Sequence, residues 1–408
     1  MRVLFVTWAW PSHFLPLVQL AWACRAAGHE VLVASQPSLQ DEAAGAGLPF
    51  AAVGRDLDIR PLVRPFFSRL VDENRTVEWA EMRRWGTANV HTYVLLAEAM
   101  AEDTTALARH WRPDIIVCEP TSYAGPLAAA ALGVPAVRQL WGADYTYRTR
   151  EFEPEALREL GGRLGLTEDV ETLGAASVDP CPPSLQTDAP VHRIPLRHAP
   201  FHGTGTLPGP PAGSGRPRIL VTGSSAVAEL SGRDVPDLPV LLRALGTLDA
   251  DVTAVVPERE RDRLRTLPGG LPDSVRIVGR TPLHLLLHGT DLLVHQGGGG
   301  SVLAGAAAGV PQLVAPRFPD HLFNARQLAA TGAGLLLAPG ELQPDAVREA
   351  AAALLSGPDH RAAAHALRHE TEAMPSAAAA VAGLERIAHD PGRGPSMTSM
   401  TSLTEELP

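Results

Sequence analysis

The sequence contains no lysine, and all 35 basic side chains among its 408 residues are arginines. A phosphate-binding loop that depends on a lysine and a catalytic lysine that forms a Schiff base are therefore both excluded. Acidic residues number 45, which gives a formal net charge of −10. Because a negatively charged protein does not attract nucleic acid or anionic lipid, we expect neither nucleic acid nor a membrane as a partner.

Cysteines and long apolar stretches are also scarce. Cys24, Cys118 and Cys181 lie far apart, so they can form neither a complete disulfide framework nor a metal knuckle of two neighbouring cysteines. No apolar run approaches the roughly 18 residues of a membrane span, and the first residues lack the apolar region and cleavage site of a signal peptide. We expect buried thiols in a cytoplasmic protein.

The length and composition indicate a soluble protein with two domains. A single core stops growing at about 250–300 residues, and 45% hydrophobic with 20% charged residues is typical of globular proteins. A stretch rich in Gly, Pro, Ser and Thr between Ala199 and Pro217 marks a linker. The predicted division is a first domain over 1–202, a linker over 203–217, a second domain over 218–375, a helix over 376–390 that returns to the first domain, and a disordered tail over 391–408.

Alternating apolar strands and helices predict the fold class. Val3–Thr7 reads as a strand, Leu15–Ala27 as a helix and Glu30–Ala34 as the next strand, and the alternation restarts at Arg218–Thr222. This order predicts an α/β protein with two doubly wound parallel sheets. Ligands of such sheets bind beyond the carboxyl ends of the strands, so the loop Trp8–Phe14 is expected to line a site.

The segment Leu57–Val90 breaks this pattern and is predicted to be irregular. It concentrates aromatic residues in a chain that has only 5% of them, namely Phe66, Phe67, Trp79 and Trp85. Two interpretations are open, a satellite core or the wall of an apolar substrate pocket.

A glycine-rich loop carries the most specific signal. Residues 295–301 read His-Gln-Gly-Gly-Gly-Gly-Ser, directly after an apolar strand and directly before an Ala-rich helix. Such a loop leaves backbone amides uncovered at the positive end of a helix, which is an anion site suited to a diphosphate. His295 could donate a further hydrogen bond to a phosphate oxygen.

The order of the motifs that follow resembles the donor-binding signature of family 1 glycosyltransferases. After the glycine loop come Gly309-Val310-Pro311, Asp320 and Asn324-Ala325. Within this family the chain is similar to actinobacterial enzymes that attach deoxysugars to polyketides and related natural products. This closer likeness covers Met1 to about His389 and rests on three segments, Leu20–Val31, Glu119–Ala128 and Pro182–Leu185.

The resemblance implies the GT-B fold, in which two Rossmann-like domains face each other across a cleft. The first domain would bind the acceptor and the second the nucleotide sugar, in an inverting reaction without a metal or other cofactor. The implied diphosphate ligands are His295, Gly298, Gly299, Gly300, Ser301, Ser224 and Ser225. Asp320 and His321 would bind the sugar, and Arg280 and Thr281 the nucleobase.

Two of these positions depart from the family pattern. His321 stands where the family usually has glutamine, which is compatible with a deoxysugar that has fewer hydroxyl groups. Arg280 stands where the family generally has an aromatic residue, and a guanidinium can also stack on a base. The choice between thymidine and uridine diphosphate stays open.

The resemblance also places a general base at His13, in the first loop. Imidazole titrates near neutral pH, as a group must that takes a proton from the acceptor. Glu119 is the candidate that would orient it, with Thr121 and Ser122 as possible substitutes. The candidate acceptor wall consists of Trp8, Trp10, Phe14, Phe66, Phe67, Trp79 and Trp141.

The resulting hypothesis is transfer of a deoxysugar from a nucleoside diphosphate, expected to be dTDP, to a small hydrophobic aglycone such as a polyketide in antibiotic biosynthesis. The main alternative is an inactive helper protein of the same fold. A homodimer and an activator protein are further partners left open.

Other functions fit less well. The acidic pairs Asp56–Asp58 and Asp249–Asp251 are weak signs of a metal-dependent transferase, because such pairs are frequent. A dinucleotide oxidoreductase would need G-x-G-x-x-G after the first strand, where the sequence reads Trp-Ala-Trp-Pro. A hydrolase or epimerase of nucleotide sugars would lack an apolar acceptor wall.

Overall fold

The computed structural model describes residues 1–206, 215–223, 226–232, 237–279 and 281–389, without the side chains of 226–228 and 259. The predicted tail over 391–408 and residues 207–214 of the predicted linker lie outside the described residues. The domain boundaries therefore stay a prediction.

The described strands form two parallel sheets, which confirms the predicted fold class. The first has the order β3-β2-β1-β4-β5-β6-β7, and the second has the order β10-β9-β8-β11-β12-β13. The strands of the first are β1 Arg2–Val6, β2 Glu30–Ser35, β3 Phe50–Ala52, β4 Ile115–Cys118, β5 Ala136–Gln139, β6 Ala176–Asp179 and β7 Arg193–Pro195. Those of the second are β8 Arg218–Thr222, β9 Asp251–Val255, β10 Val275–Val278, β11 Leu292–His295, β12 Gln312–Val314 and β13 Gly334–Leu336.

Helices connect these strands and cover the sheets. In the first half they are α1 Pro11–Ala26, α2 Gln40–Gly45, α3 Arg60–Asp72, α4 Trp79–Met82, α5 His91–Glu98, α6 Ala101–Trp111, α7 Ala124–Leu132 and α8 Glu153–Arg163. In the second half they are α9 Ala226–Ser231, α10 Asp237–Leu245, α11 Glu258–Arg265, α12 Leu283–Leu286, α13 Gly299–Ala308, α14 Pro319–Ala330, α15 Pro344–Ser356, α16 Pro358–Ala373 and α17 Ala377–His389.

The central strands are apolar because both faces of each sheet are covered. Val3, Leu4, Phe5 and Val6 of β1 are completely buried, as expected for a strand between two helix layers. Strand order reverses beside β1 in the first sheet and beside β8 in the second. These reversals open crevices at the carboxyl ends of β1 and β4 and of β8 and β11, where doubly wound sheets bind ligands.

The first helix begins four residues earlier than predicted. Pro11 takes its first turn, where a missing backbone N–H costs nothing, so His13 lies on a helix and not in a loop. The prediction of a start at Leu15 was wrong because it assigned Pro11 to the loop after the first strand, whereas Pro11 is the first residue of the helix. The helix continues through Pro16, whose carbonyl accepts a hydrogen bond from the Gln139 side chain.

The segment predicted to be irregular is partly helical. Residues Arg60–Asp72 form α3, although Pro61 and Pro65 both lie within it. The two prolines remove backbone donors, which is why the sequence pattern did not indicate a helix. Only Leu70 of this helix is buried, and its other residues are partly or fully exposed.

The last helix packs on the first sheet. Ala380, Val381 and Leu384 of α17 are buried in the same core as Val3 and Phe14. The three cysteines are buried and free, as predicted. Among the described helices, none combines the length and the apolar character needed to cross a membrane.

Candidate active site

A histidine and a glutamate meet at the carboxyl edge of the first sheet. His13 lies in the first turn of α1, which follows β1, and Glu119 comes directly after β4. Because β1 and β4 are neighbours, the side chains come together, with 3.1 Å between His13 Nδ1 and Glu119 Oε2. The Glu119 side chain is 1% exposed and that of His13 is 17% exposed, so solvent reaches the imidazole.

Neighbours on the loop after β4 hold the Glu119 carboxylate. Thr121 donates to it from its backbone N–H and from its hydroxyl, each at 2.9 Å, and the Ser122 hydroxyl also donates. A buried carboxylate without such donors would be costly. Because a carboxylate only accepts hydrogen bonds, Nδ1 of His13 carries a proton and Nε2 of the neutral ring is free to accept one. Thr121 and Ser122 thus support Glu119 and do not replace it.

Two indoles enclose the imidazole of His13. The ring centroid of Trp8 lies 4.7 Å from that of His13, and the centroid of Trp141 lies 4.6 Å from it. Trp8 is tied to the loop after β4, because its indole N–H donates to the Thr121 hydroxyl at 3.0 Å and its backbone N–H donates to Ser122 at 2.9 Å. The base candidate is therefore restrained by a hydrogen bond and by two ring contacts.

The glycine loop of the second sheet approaches other backbone segments closely. Gly297 has φ +96°, and a Cβ there would lie 2.8 Å from the His321 carbonyl oxygen. At Gly299, the first residue of α13, a Cβ would lie 2.6 Å from the Trp141 carbonyl oxygen. Both positions therefore require glycine. The first turn of α13 presents its positive end at this point, which is a suitable anion site.

His295 does not face the anion site in this conformation. It is 2% exposed, its Nε2 pairs with Gln312 Oε1 at 2.9 Å, and its Nδ1 accepts from the Gly297 N–H at 3.0 Å. Burial lowers the pKa of His295 to about 4. Both nitrogens are used within the protein, so the expected hydrogen bond to a phosphate has no donor here. His295 instead fixes the start of the glycine loop.

The candidate sugar-binding residues lie beside this loop. Asp320 is in the first turn of α14 with its side chain 36% exposed, and the His321 Nε2 lies 3.9 Å from its Oδ2. His321 is buried, which lowers its pKa, and its ring packs on Phe318. A Cβ at Gly298 would lie 3.8 Å from His321 Nε2, so the structure brings the sugar and diphosphate candidates together.

The remaining donor candidates are only partly described. Gly300 and Ser301 lie in the first turn of α13 with Gly299. The Thr281 hydroxyl donates to the Gly279 carbonyl at 3.1 Å. The predicted roles of Ser224, Ser225 and Arg280 fall outside the described residues.

The candidate acceptor wall divides into separate groups. Trp8 and Trp141 contact His13, and Trp10 packs on Trp8 with 5.4 Å between ring centroids. Phe14 is completely buried in the core between the first sheet and its helices. Its prediction as a wall residue was wrong, because on a helix that begins at Pro11 its side chain points to the sheet.

The aromatic residues of α3 face the second half of the molecule. Phe66 and Phe67 are partly exposed and pack edge to face, and the Phe67 ring lies 4.7 Å from that of Phe318. Trp79 packs instead against Tyr145, 6.4 Å away between centroids. Phe66 also packs on Trp85, with 5.4 Å between ring centroids. Both interpretations of these aromatic residues, a satellite core and an acceptor wall, therefore stay predictions.

A polar cluster that the sequence did not reveal joins the two halves. Arg317, just before α14, forms a buried ion pair with Asp237 and donates to Asn74 Oδ1 at 3.0 Å. The Asn74 side chain also donates to the Pro339 carbonyl at 3.2 Å. Gln312, which holds His295, was also missed, although a polar residue inside the apolar run of β12 was a usable signal.

Comparison with known proteins decides the family. The N-terminal domain model of erythromycin biosynthesis protein CIII-like proteins matches residues 22–224, and the corresponding C-terminal domain model matches residues 239–387. The chain belongs to this CIII-like family. Relatives of this CIII-like protein include the 10-deoxymethynolide desosaminyltransferase of Streptomyces venezuelae, 34% identical, with 97% of this chain and 99% of the relative covered. The tylactone mycaminosyltransferase of Streptomyces fradiae is also 34% identical, with coverage of 95% and 92%.

Solved structures agree with this assignment. Glycosyltransferase VinC in complex with dTDP is 31% identical, with a TM-score of 0.78 and coverage of 95% of this chain and 100% of VinC. Spinosyn rhamnosyltransferase SpnG with thymidine diphosphate is 29% identical, with a TM-score of 0.74 and coverage of 94% and 100%. The CIII-like chain therefore has the GT-B fold and is a nucleotide-sugar-dependent glycosyltransferase. Its relatives support an active enzyme over the inactive helper protein.

Proposed function

We propose that the protein transfers a deoxysugar from a dTDP-sugar to a hydrophobic polyketide-type acceptor with inversion at the anomeric carbon. The observation that carries this proposal is the position of the His13–Glu119 pair near the amino end of α13. Trp141 contacts both His13 and the first residue of α13. The base and the anion site therefore both adjoin Trp141. The thymidine diphosphate complexes of VinC and SpnG and the macrolactone acceptors named for the relatives support the choice of substrates.

In the proposed reaction His13 takes the acceptor proton. Nε2 of the neutral ring is the accepting atom, since Glu119 keeps the other proton on Nδ1. The imidazolium that forms is stabilised by the buried Glu119 carboxylate and by the faces of Trp8 and Trp141. The acceptor oxygen, or another nucleophilic atom in its place, attacks the anomeric carbon of the sugar while its proton passes to Nε2. The bond between that carbon and the diphosphate oxygen breaks in the same step.

The leaving diphosphate would be stabilised by α13. Backbone N–H groups from Gly298 to Gly300 and the positive end of the helix oppose the developing charge, which is the role that a metal ion has in other transferases. Asp320, exposed beside His321, would hold sugar hydroxyl groups. The proposed reaction therefore needs no metal or other cofactor.

A combined binding and transfer experiment tests the proposal. Thymidine diphosphate and uridine diphosphate are titrated by calorimetry in EDTA, and transfer from a dTDP-deoxysugar to 10-deoxymethynolide or tylactone is followed by mass spectrometry. We expect metal-independent binding of thymidine diphosphate, and transfer that His13→Ala slows by about 10²- to 10⁴-fold while the binding remains. Failure to bind either nucleotide would contradict the proposed donor, and full transfer by His13→Ala would contradict the proposed base.

A further inference from the structure

Trp141 contacts both halves of the candidate site. It lies just beyond β5, and its ring centroid is 4.6 Å from that of His13 at an interplanar angle of 50°. On its other side, a Cβ at Gly299 would lie 2.6 Å from the Trp141 carbonyl oxygen and 3.0 Å from its Cδ1. One residue of the first half therefore contacts the base and also the first residue of the anion-binding helix.

The junction between Trp141 and α13 leaves no space for adjustment by side chains. A Cβ at Gly142 would lie 3.1 Å from Gly299 Cα, so the backbones of the two glycines face each other directly. A displacement of the start of α13 must therefore be transmitted to the backbone at 141–142. Because the Trp141 ring lies against His13, such a displacement also changes the surroundings of the imidazole.

The second indole at His13 has different attachments. Trp8 also contacts the His13 ring and is hydrogen-bonded to Thr121 and Ser122, which belong to the same loop as Glu119. Its contacts hold the base within the first half of the molecule. Trp8 is therefore the natural control for Trp141, since both are indoles on the same imidazole.

We infer that Trp141 is a positioning residue that couples occupation of the donor site to the placement of His13. This inference rests on the proposed function, because it takes the anion at α13 to be the donor diphosphate. Binding there shifts the first turn of α13, and because its backbone already contacts Trp141, the shift moves the indole at His13 and sets Nε2 for the acceptor. Trp141 is then not an acceptor-wall residue but the link between the two substrates' sites.

Histidine resonances provide a direct readout that needs no acceptor. The full-length protein is labelled with 13C at histidine Cε1, the His13 signal is assigned from its loss in His13→Ala, and thymidine diphosphate is the probe. In the wild type we expect the His13 signal to move on saturation, because the ring current of Trp141 acts on it. Trp141→Ala should bind thymidine diphosphate within about threefold of the wild type but show no movement of the His13 signal. Trp141→Phe should retain part of it, and Trp8→Phe should retain the movement from a different starting position.

Kinetics give a second readout. Transfer by Trp141→Ala should show a kcat lower by about 10- to 100-fold with little change in the KM for the donor, since a misplaced base slows the chemical step. In the His13→Ala background the same substitution should add little further loss, because Trp141 acts through His13. A purely structural role would lower kcat in both backgrounds alike.

The outcomes separate this inference from the function on which it rests. If the wild type binds thymidine diphosphate and its His13 signal does not move, the coupling is wrong and the proposed function stands. A His13 signal that still moves in Trp141→Ala, or losses that add in the double variant, would equally overturn the coupling. If the wild type does not bind thymidine diphosphate, the proposed donor is wrong and the coupling falls with it. Trp141→Phe keeps the test decisive if Trp141→Ala fails to fold.

Discussion

At the scale of single residues, the chemistry depends on how two buried side chains are satisfied. The Glu119 carboxylate accepts hydrogen bonds from Thr121, Ser122 and His13. These bonds stabilise its negative charge beside the base without a metal ion or an arginine. His295 has partners within the protein for both ring nitrogens, so in this conformation it holds the glycine loop. Residues of similar polarity thus have different roles because of their hydrogen-bond partners.

The first prediction concerns Glu119. In Glu119→Gln the neutral amide cannot stabilise the imidazolium, so we expect kcat to fall by about 10²- to 10³-fold with thymidine diphosphate affinity unchanged. Steady-state transfer kinetics and calorimetry measure the two quantities. The exposed Glu159→Gln is the control and should behave like the wild type. A variant at Glu119 with normal kcat would show that the carboxylate has no part in catalysis.

The resemblance to the family suggested Glu119 as the partner of His13, and the structure brings the two side chains together because β1 and β4 are adjacent strands. Their catalytic roles stay a prediction. Sequence reasoning did not predict the partner of His295. Gln312 is reached only when β11 and β12 are adjacent in the sheet, and nothing in the local pattern of either strand specifies which side chains then meet.

At the scale of elements, the site depends on two helix starts. The start of α1 at Pro11 directs His13 to Glu119 and Phe14 into the core. The start of α13 at Gly299 lies directly against Trp141. The sequence indicated the second start through its glycines but misplaced the first, because proline stops a helix at most interior positions and is favoured in the first turn.

The second prediction tests the start of α13. Gly299→Ala places a methyl group against the Trp141 carbonyl, so the first turn must shift, and we expect the affinity for thymidine diphosphate to fall by about tenfold or more. Gly162→Ala is the matched control, since a Cβ at this position of α8 meets nothing within 4 Å. Equal dissociation constants for the two variants, measured by calorimetry, would refute a role for the close contact.

The third prediction compares two ion pairs of α14 and its surroundings. Arg317→Ala leaves Asp237 buried without its partner, and we expect the free energy of unfolding to fall by about 3–5 kcal/mol. Arg326→Ala breaks the exposed pair with Glu78 and should cost less than about 1 kcal/mol. Urea unfolding followed by circular dichroism measures both. Similar decreases in the free energy of unfolding for the two variants would mean that burial does not determine how much each ion pair contributes to stability.

At the scale of the whole molecule, three neutral histidines make stability depend on pH. Burial lowers the pKa of His198 to about 3 and those of His202 and His295 to about 4. An unfolded histidine has a pKa near 6.5, so between pH 6.5 and 4 the unfolded chain binds more protons than the folded one. Stability is therefore present above pH 6.5 and is lost as the pH falls through this window.

The fourth prediction follows from this difference in proton binding. As the pH is lowered from 6.5 to 4, the free energy of unfolding should decrease. Each of these histidines contributes up to about 1.4 kcal/mol per pH unit to the decrease. Urea unfolding at several pH values measures the slope. His202→Asn should reduce the slope, and the exposed His110→Gln should leave it unchanged. A stability that is flat over this range would contradict the neutral state of these side chains.

Local patterns in the chain were sufficient to specify the two parallel sheets, the glycine loop before a helix and the strands that precede His13 and Glu119. They sufficed because apolar periodicity and glycine act over a few residues, and because parallel sheets expose their carboxyl ends in a known way. Packing alone decided that Phe14 is buried, that His295 turns to Gln312 and that Trp141 lies between His13 and Gly299. These contacts join residues far apart in sequence, and their choice depends on how close two backbones come after both sheets have formed.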